Sequence, residues 1–166
     1  MNHSAPDRTA TAAGYGDSLD YVTIRIGGQL LGLPIASVQD VFITNRITVV
    51  PRAPDEIVGL LNLRGRIVTA ICLRRRLGRT LPAGPDSQGA SELTAIGVDH
   101  GGEAYALIVD AVGEVIRLDR STFEPLPVHL DRVWTALATG VHRLADELLV
   151  ILDLDAVLDL DLPAAA

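Results

Sequence analysis

Four histidines, one cysteine and a run of C-terminal aspartates are the side chains of this chain that could relay a proton, attack a carbon or hold a metal ion. Histidine serves as a ligand or base when a second donor stands at a set spacing. His3, His100, His129 and His142 are scattered, and no HExxH or paired motif puts two of them on one face. Cys72 has no second cysteine for a disulfide or a zinc motif, and its place in the apolar run Ile67 to Leu73 points to the core. Asp153, Asp155, Asp159 and Asp161 alternate with Leu and Val, as in a half-exposed strand leading into a surface helix rather than a metal cage. Gly27-Gly28 and Gly101-Gly102 lack the spacing of a phosphate-binding loop and read as hairpin turns, where glycine supplies positive φ. The expectation is a protein without catalytic residues, cofactor or metal.

The arginines are more informative. Arg74, Arg75, Arg76 and Arg79 make a basic corner that either faces an acidic partner or is a solvated strand end. Arg64 stands in Asn62-Leu63-Arg64-Gly65, between two apolar strands. Asn62 and Gly65 suit the first and fourth positions of a β-turn. Nothing in that turn requires an arginine, whose five fixed donors can hold a partner's carboxylate or amide groups. The chain as a whole is acidic, with 14 Lys and Arg against 21 Asp and Glu and a net charge of −7. That balance opposes the phosphate backbone, so no nucleic-acid partner is expected. No apolar run approaches the roughly 18 residues of a bilayer span, and no secretion signal opens the chain. A cytoplasmic protein without direct membrane insertion follows as the expectation.

The elements that position these residues are short. Residues 1–18, rich in Ala, Thr, Gly and Ser, read as a disordered leader. From Leu19 the apolar segments Tyr21 to Ile26, Gln29 to Leu33, Val38 to Ile43, Ile57 to Leu63 and Ile67 to Leu73 are strand-length and separated by Gly, Pro and Asp. Leu81 to Ser91 reads as a loop dividing the chain. Sliding the second half back by 74 residues lays Ile24 on Val98, Gly27-Gly28 on Gly101-Gly102, Leu33 on Leu107, Asp40 on Glu114 and Pro51 on Pro125. After a seven-residue insertion around Val128 to Ala138, the match resumes at 81, with Gly59 on Gly140 and Leu73 on Leu154. Two repeat halves, about 21–80 and 93–160, each have roughly five strands, which suits a small closed barrel. Barrels so small should share an apolar interface. Asp155 to Leu162 could add a short C-terminal helix, stopped by Pro163.

In order and spacing, Gly32-Leu33-Pro34, Val38-Gln39-Asp40-Val41, the Thr48 to Pro54 segment, Ile57-Val58-Gly59, Asn62-Leu63-Arg64-Gly65, Leu107 to Val112, Glu114-Val115 and Pro125-Leu126-Pro127 resemble the CheW family. The resemblance covers about Leu19 to Leu160. It implies an all-β fold of two five-stranded SH3-like barrels packed together over 19–162, in accord with the repeat. It implies a non-catalytic adaptor that couples the tip of methyl-accepting chemoreceptors to the regulatory domain of the histidine kinase CheA, or a CheW-like adaptor of a non-flagellar pathway. Carried over by position, the receptor groove comprises Ile35, Val38, Asp40, Asn62, Arg64, Leu93 and Thr94, and no kinase interface is assigned. Thr69 and Cys72 depart from the family's usual Pro and Asp, while Asp153 keeps the acid in the second repeat.

Overall fold

The structure is a computed structural model that describes residues 18–78, 92–129 and 131–159. The expected leader up to Asp17, the loop 81–91, Arg79, and Leu162 with Pro163 lie outside the described residues. Strands β1 (Ser18–Ile26), β2 (Gln29–Pro34), β3 (Val38–Thr44), β4 (Ile57–Leu63) and β5 (Arg66–Cys72) lead to a one-turn helix α1 (Leu73–Arg76). The second half follows with β6 (Leu93–His100), β7 (Glu103–Val109), β8 (Ala111–Asp119) and β9 (Phe123–Glu124). Helix α2 (Arg132–Leu137), β10 (Ala138–Arg143), β11 (Leu148–Leu152) and α3 (Leu154–Val157) complete it. The all-β expectation of two SH3-like units with a short C-terminal helix holds: the strands form one six-stranded and one five-stranded sheet, in the orders β8-β1-β2-β11-β10-β9 and β3-β6-β7-β5-β4.

The repeat is visible in the pairing itself. Ile24 pairs with Leu31 and Val98 with Tyr105, equivalent at 74. β2 and β11 run parallel with Gly32 against Ile151, as β7 and β5 do with Ala106 against Ala70. Even the bulges coincide, between Ile57 and Gly59 in one half and between Ala138 and Gly140 in the other. Pro51 on Pro125 is the one match out of register: Thr48 bridges Leu60 where Glu124 pairs with Val141, which lays Pro51 on Pro127.

The halves 21–80 and 93–160 do not each build one sheet, and here the expectation is corrected. Each half lends its N-terminal hairpin to the other: β1–β2 pairs with β8 and β11, and β6–β7 with β3 and β5. The exchange places both hairpins centrally and buries both of their faces. Val22, Ile24, Ile96 and Val98 pack into a core shared by the two sheets. Tyr21 and Leu30 turn to the interior of the first sheet, and Ala95 and Ala106 to that of the second. The seven-residue insertion carries α2, whose Trp134 and Leu137 join the shared core.

Candidate functional site

The β4–β5 hairpin turns in two residues, Arg64 and Gly65, between the paired Leu63 and Arg66. Both have positive φ, 55° and 83°, the mark of a type I′ turn that matches the twist of the strands. The expected turn frame therefore shifts by one residue: Arg64 and Gly65 are its centre, and Asn62 precedes it. The Asn62 side-chain oxygen accepts from the Gly65 amide at 2.9 Å. Arg64, at a position that favours Asn or Gly, reaches Asp40 on β3 with an Nη2 to Oδ2 distance of 2.9 Å. Together they flank a cleft of about 160 Å³ that also touches Arg66, Asp99 and Tyr105. The Tyr105 hydroxyl donates to Glu103 at 3.0 Å. Burial, reinforced by that carboxylate, raises its pKa above the usual range, so it is a donor and not a base at neutral pH.

The remaining predicted residues divide between faces. Partners across an antiparallel ladder share a face, so Asp40, opposite Gly97, lies on the same side as Leu93, opposite Thr44. That side faces the second core, against which Leu93 packs. Thr94 pairs with Ile43 and Val41 with Ile96 on the other side, toward the first sheet. Val38 is half-buried against the shared core, while Ile35, in a 3-10 turn (Ile35–Ser37), is 43% exposed. Thus Asp40 and Arg64 come together, with Asn62 exposed beside the turn and outside the cleft, whereas Thr94 and Leu93 lie about 10 and about 13 Å further along the ladder at some 3.3 Å per residue. Sequence reasoning missed Val41 and Ile43, exposed by 46% and 66% on the Thr94 side. Their signal was present: apolar residues two apart on a strand whose alternate positions, Phe42 and Asp40, face inward.

Of the basic corner, Arg74 and Arg76 are half-buried and tie the chain together, while Arg75 stays exposed. Arg74 pairs with Asp110, which also accepts from the Gly27 amide at 2.7 Å. Arg75 donates to the Asp55 carbonyl, and Arg76 donates to the carbonyls of Ala156, Val157 and Asp159 at the end of α3. Cys72 is half-buried rather than core and precedes α1 with no side-chain cap, whereas its equivalent Asp153 accepts from the Asp155 amide at 3.1 Å. The acid lost at Cys72 is therefore a helix cap. No group of three or more metal-ligating side chains occurs among the described residues.

His142 was not singled out by its sequence context. It is 1% exposed, its Nδ1 lies 2.9 Å from the Thr122 hydroxyl, and its Nε2 has no partner among the described residues. It packs between Tyr21 and Phe123 and borders a cleft of about 510 Å³. Burial lowers its pKa, against a smaller opposing pull from Glu124. An imidazole so enclosed lacks the access a general base needs.

The family described as CheW-like domain matches residues 20–161. This chain belongs to the CheW family. It is 27% identical over 142 residues to the chemotaxis protein CheW of Klebsiella aerogenes, covering 84% of this chain and 81% of that one. The chemotaxis protein CheW of Helicobacter pylori is 27% identical over 143 residues, covering 86% and 83%. Among solved structures, the scaffolding protein TtCheW from Thermoanaerobacter tengcongensis superposes with a TM-score of 0.74 at 31% identity, over 86% of this chain and 94% of that chain. No helix among the described residues is long and apolar enough to cross a membrane. The CheW-like match takes in both exchanged hairpins and the Asp40–Arg64 pair, so the site lies wholly within the family's shared region.

Proposed function

We propose that this protein is a non-catalytic adaptor that joins the cytoplasmic tip of a methyl-accepting chemoreceptor to the regulatory domain of a CheA-type histidine kinase, working in the cytoplasm at receptor arrays. The observation that carries the reading is the family match over residues 20–161, with relatives named as chemotaxis proteins and a structural neighbour named as a scaffold. The receptor tip docks along β3. Ile35, Val41 and Ile43 supply exposed apolar surface, with Val38 behind them. Asp40 and Arg64, with Asn62 beside them in the sequence, supply directional polar groups across the edge strand β3 at one end, and Thr94, on the same face as Val41 and Ile43, marks the other. A helix rises 1.5 Å per residue, so two turns span that strip. An apolar strip with a polar end suits the helix-in-groove mode of recognition.

The test is co-sedimentation with membranes carrying a receptor from the same organism, with and without the kinase. The protein should bring the kinase down with the membranes, and Ile43→Glu, a change at an exposed position, should abolish this while leaving the melting temperature unchanged. Kinase that sediments equally well without the protein would refute the adaptor role. A fully active Ile43→Glu protein would remove β3 from the docking surface.

A further inference from the structure

The interior of the first sheet departs from its repeat in one cluster. Tyr21 corresponds to Ala95 at an offset of 74, and His142 to Leu61 at 81. Phe123 corresponds to Ile47, since each lies over a glycine that has no room for a side chain, Gly140 and Gly59. One half thus fills this place with Ala95, Leu61 and Ile47 of an all-apolar cluster. The other sets an imidazole between two aromatic rings, with centroids at 5.7 Å and 5.4 Å. The hydrogen-bond network fixes the state of that imidazole. The Thr122 hydroxyl donates its one proton to the Asp119 carbonyl at 2.9 Å, so toward Nδ1 of His142 it can only accept. Nδ1 therefore carries the proton of the neutral ring, and Nε2 is a bare acceptor, buried and without a partner among the described residues. Packing does not require it, because Leu61 fills the equivalent place, and a buried acceptor left unpaired costs stability until a donor reaches it. His142 lines the cleft of about 510 Å³ together with Tyr21, Ile151 and Leu154, all buried. Arg120 and Asp155 bring charges of both signs to its exposed rim. Arg120 forms no ion pair among the described residues, and Asp155 meets only His100, at 3.2 Å.

We infer that this cleft binds a free aromatic amino acid whose ring carries a hydrogen-bond donor, tyrosine being the simplest. The ring hydroxyl donates to Nε2 of His142, the ring lies on the apolar walls, the carboxylate meets Arg120 and the ammonium meets Asp155. A purely apolar ligand would leave Nε2 and both rim charges unanswered, and a simple anion or cation would answer one charge and oppose the other. Nε2 is shielded from solvent, so the incoming ring displaces that of Phe123. Phe123 is 36% exposed and stands on the two-residue strand β9 at the outer edge of its sheet, where little holds it. The volume lies within the range of small-molecule sites. None of the residues of the proposed receptor surface lines this cleft, so the inference does not rest on the adaptor reading.

Nitrogen NMR of the full chain with labelled histidine tests it. The ring nitrogens of His142, assigned by their loss in His142→Leu, should show the Nδ1-protonated tautomer. A ligand of about 13 non-hydrogen atoms at ordinary efficiency binds at about 1 mM. Tyrosine at about 2 mM should therefore move the Nε2 resonance upfield, the mark of an accepted hydrogen bond. Phenylalanine, which lacks only the hydroxyl, should bind at least about tenfold more weakly, and tyramine, which lacks the carboxylate, should also lose affinity. His142→Leu should bind tyrosine and phenylalanine alike, and Arg120→Gln should bind tyrosine and tyramine alike. Far-UV circular dichroism shows whether each variant is folded, and the comparison of ligands on the unmodified protein needs no variant. Tyrosine that leaves Nε2 unmoved, or phenylalanine that binds the unmodified protein as well as tyrosine does, would overturn the inference.

Discussion

Arg64 occupies the first central position of a two-residue hairpin with φ 55°, a conformation that costs an ordinary L-residue about 1–2 kcal/mol and asparagine considerably less. Arg64→Asn should therefore relieve about 1 kcal/mol of backbone strain. Against this stands the ion pair to Asp40 at 2.9 Å, whose side chains are 79% and 25% exposed. Solvent screening holds a pair of that kind to about 0.5 kcal/mol. The balance is a protein more stable by about 0.5 kcal/mol, with a melting temperature about 1–3 °C higher. Arg64→Ala is the control, since it keeps the strain and loses the pair, and should melt slightly below the parent. Differential scanning calorimetry reads both variants, and the receptor co-sedimentation assay reads function. There, Arg64→Asn should bind at least about tenfold more weakly, which corresponds to about 1.4 kcal/mol of lost contact. A variant that melts several degrees lower would show that Arg64 supports the fold and would refute the strain argument. Undiminished receptor recruitment would take Arg64 out of the docking surface.

The repeat and the buried groups give further expectations. A Cβ at Gly59 would stand 2.2 Å from the Thr48 carbonyl oxygen, and one at Gly140 would stand 2.2 Å from the Phe123 ring. Each Gly→Ala change should cost about 1–3 kcal/mol, read as a lower urea midpoint. Cys72→Asp restores the cap that Asp153 provides in the other half and should raise stability by about 0.5–1 kcal/mol in the same measurement. His142 is held neutral by burial, with its pKa below the ordinary 6.5. The unfolded chain therefore binds a proton that the fold resists, and stability should fall as pH drops below about 6.5. The carboxylates of Asp20 and Glu147, held ionised by Arg117 and Arg25, lose their contribution only below their ordinary values of 3.8 and 4.5. A melting series from pH 7.5 to 5 thus isolates the histidine, and His142→Gln should flatten it. An equal slope in that variant would show that another group is responsible.

Much of the fold was legible because β-structure is written locally. Alternation of apolar residues with Gly, Pro and Asp punctuation marked the strands of the first half to within one residue, except that β1 begins three residues before Tyr21, and the diglycine positions marked two hairpin turns. The repeat survived because equivalent positions face equivalent cores: Gly59 and Gly140 lack side chains for one shared reason, the chain that crosses above each of them. Helix α2 was missed because six residues within an insertion give too short a period to read. The arginine corner was ambiguous because local sequence records a charge and not its partner. Arg76 finds carbonyls eighty residues away at the end of α3.

The sequence by itself determined the all-β class, the doubled architecture and the family, all of which rest on periodicity and on motif order along the chain. Only the tertiary structure decided which strands are neighbours. A strand apolar on both faces is equally satisfied beside its own half or the other, and the exchange of hairpins is settled by the shared core that buries Ile24 and Val98 together. Tertiary structure alone also separated Asp40 and Arg64, held by an ion pair, from Leu93 and Thr94 further along the ladder. The period of two says which side of a strand a residue takes, but register and sheet order say what that side meets.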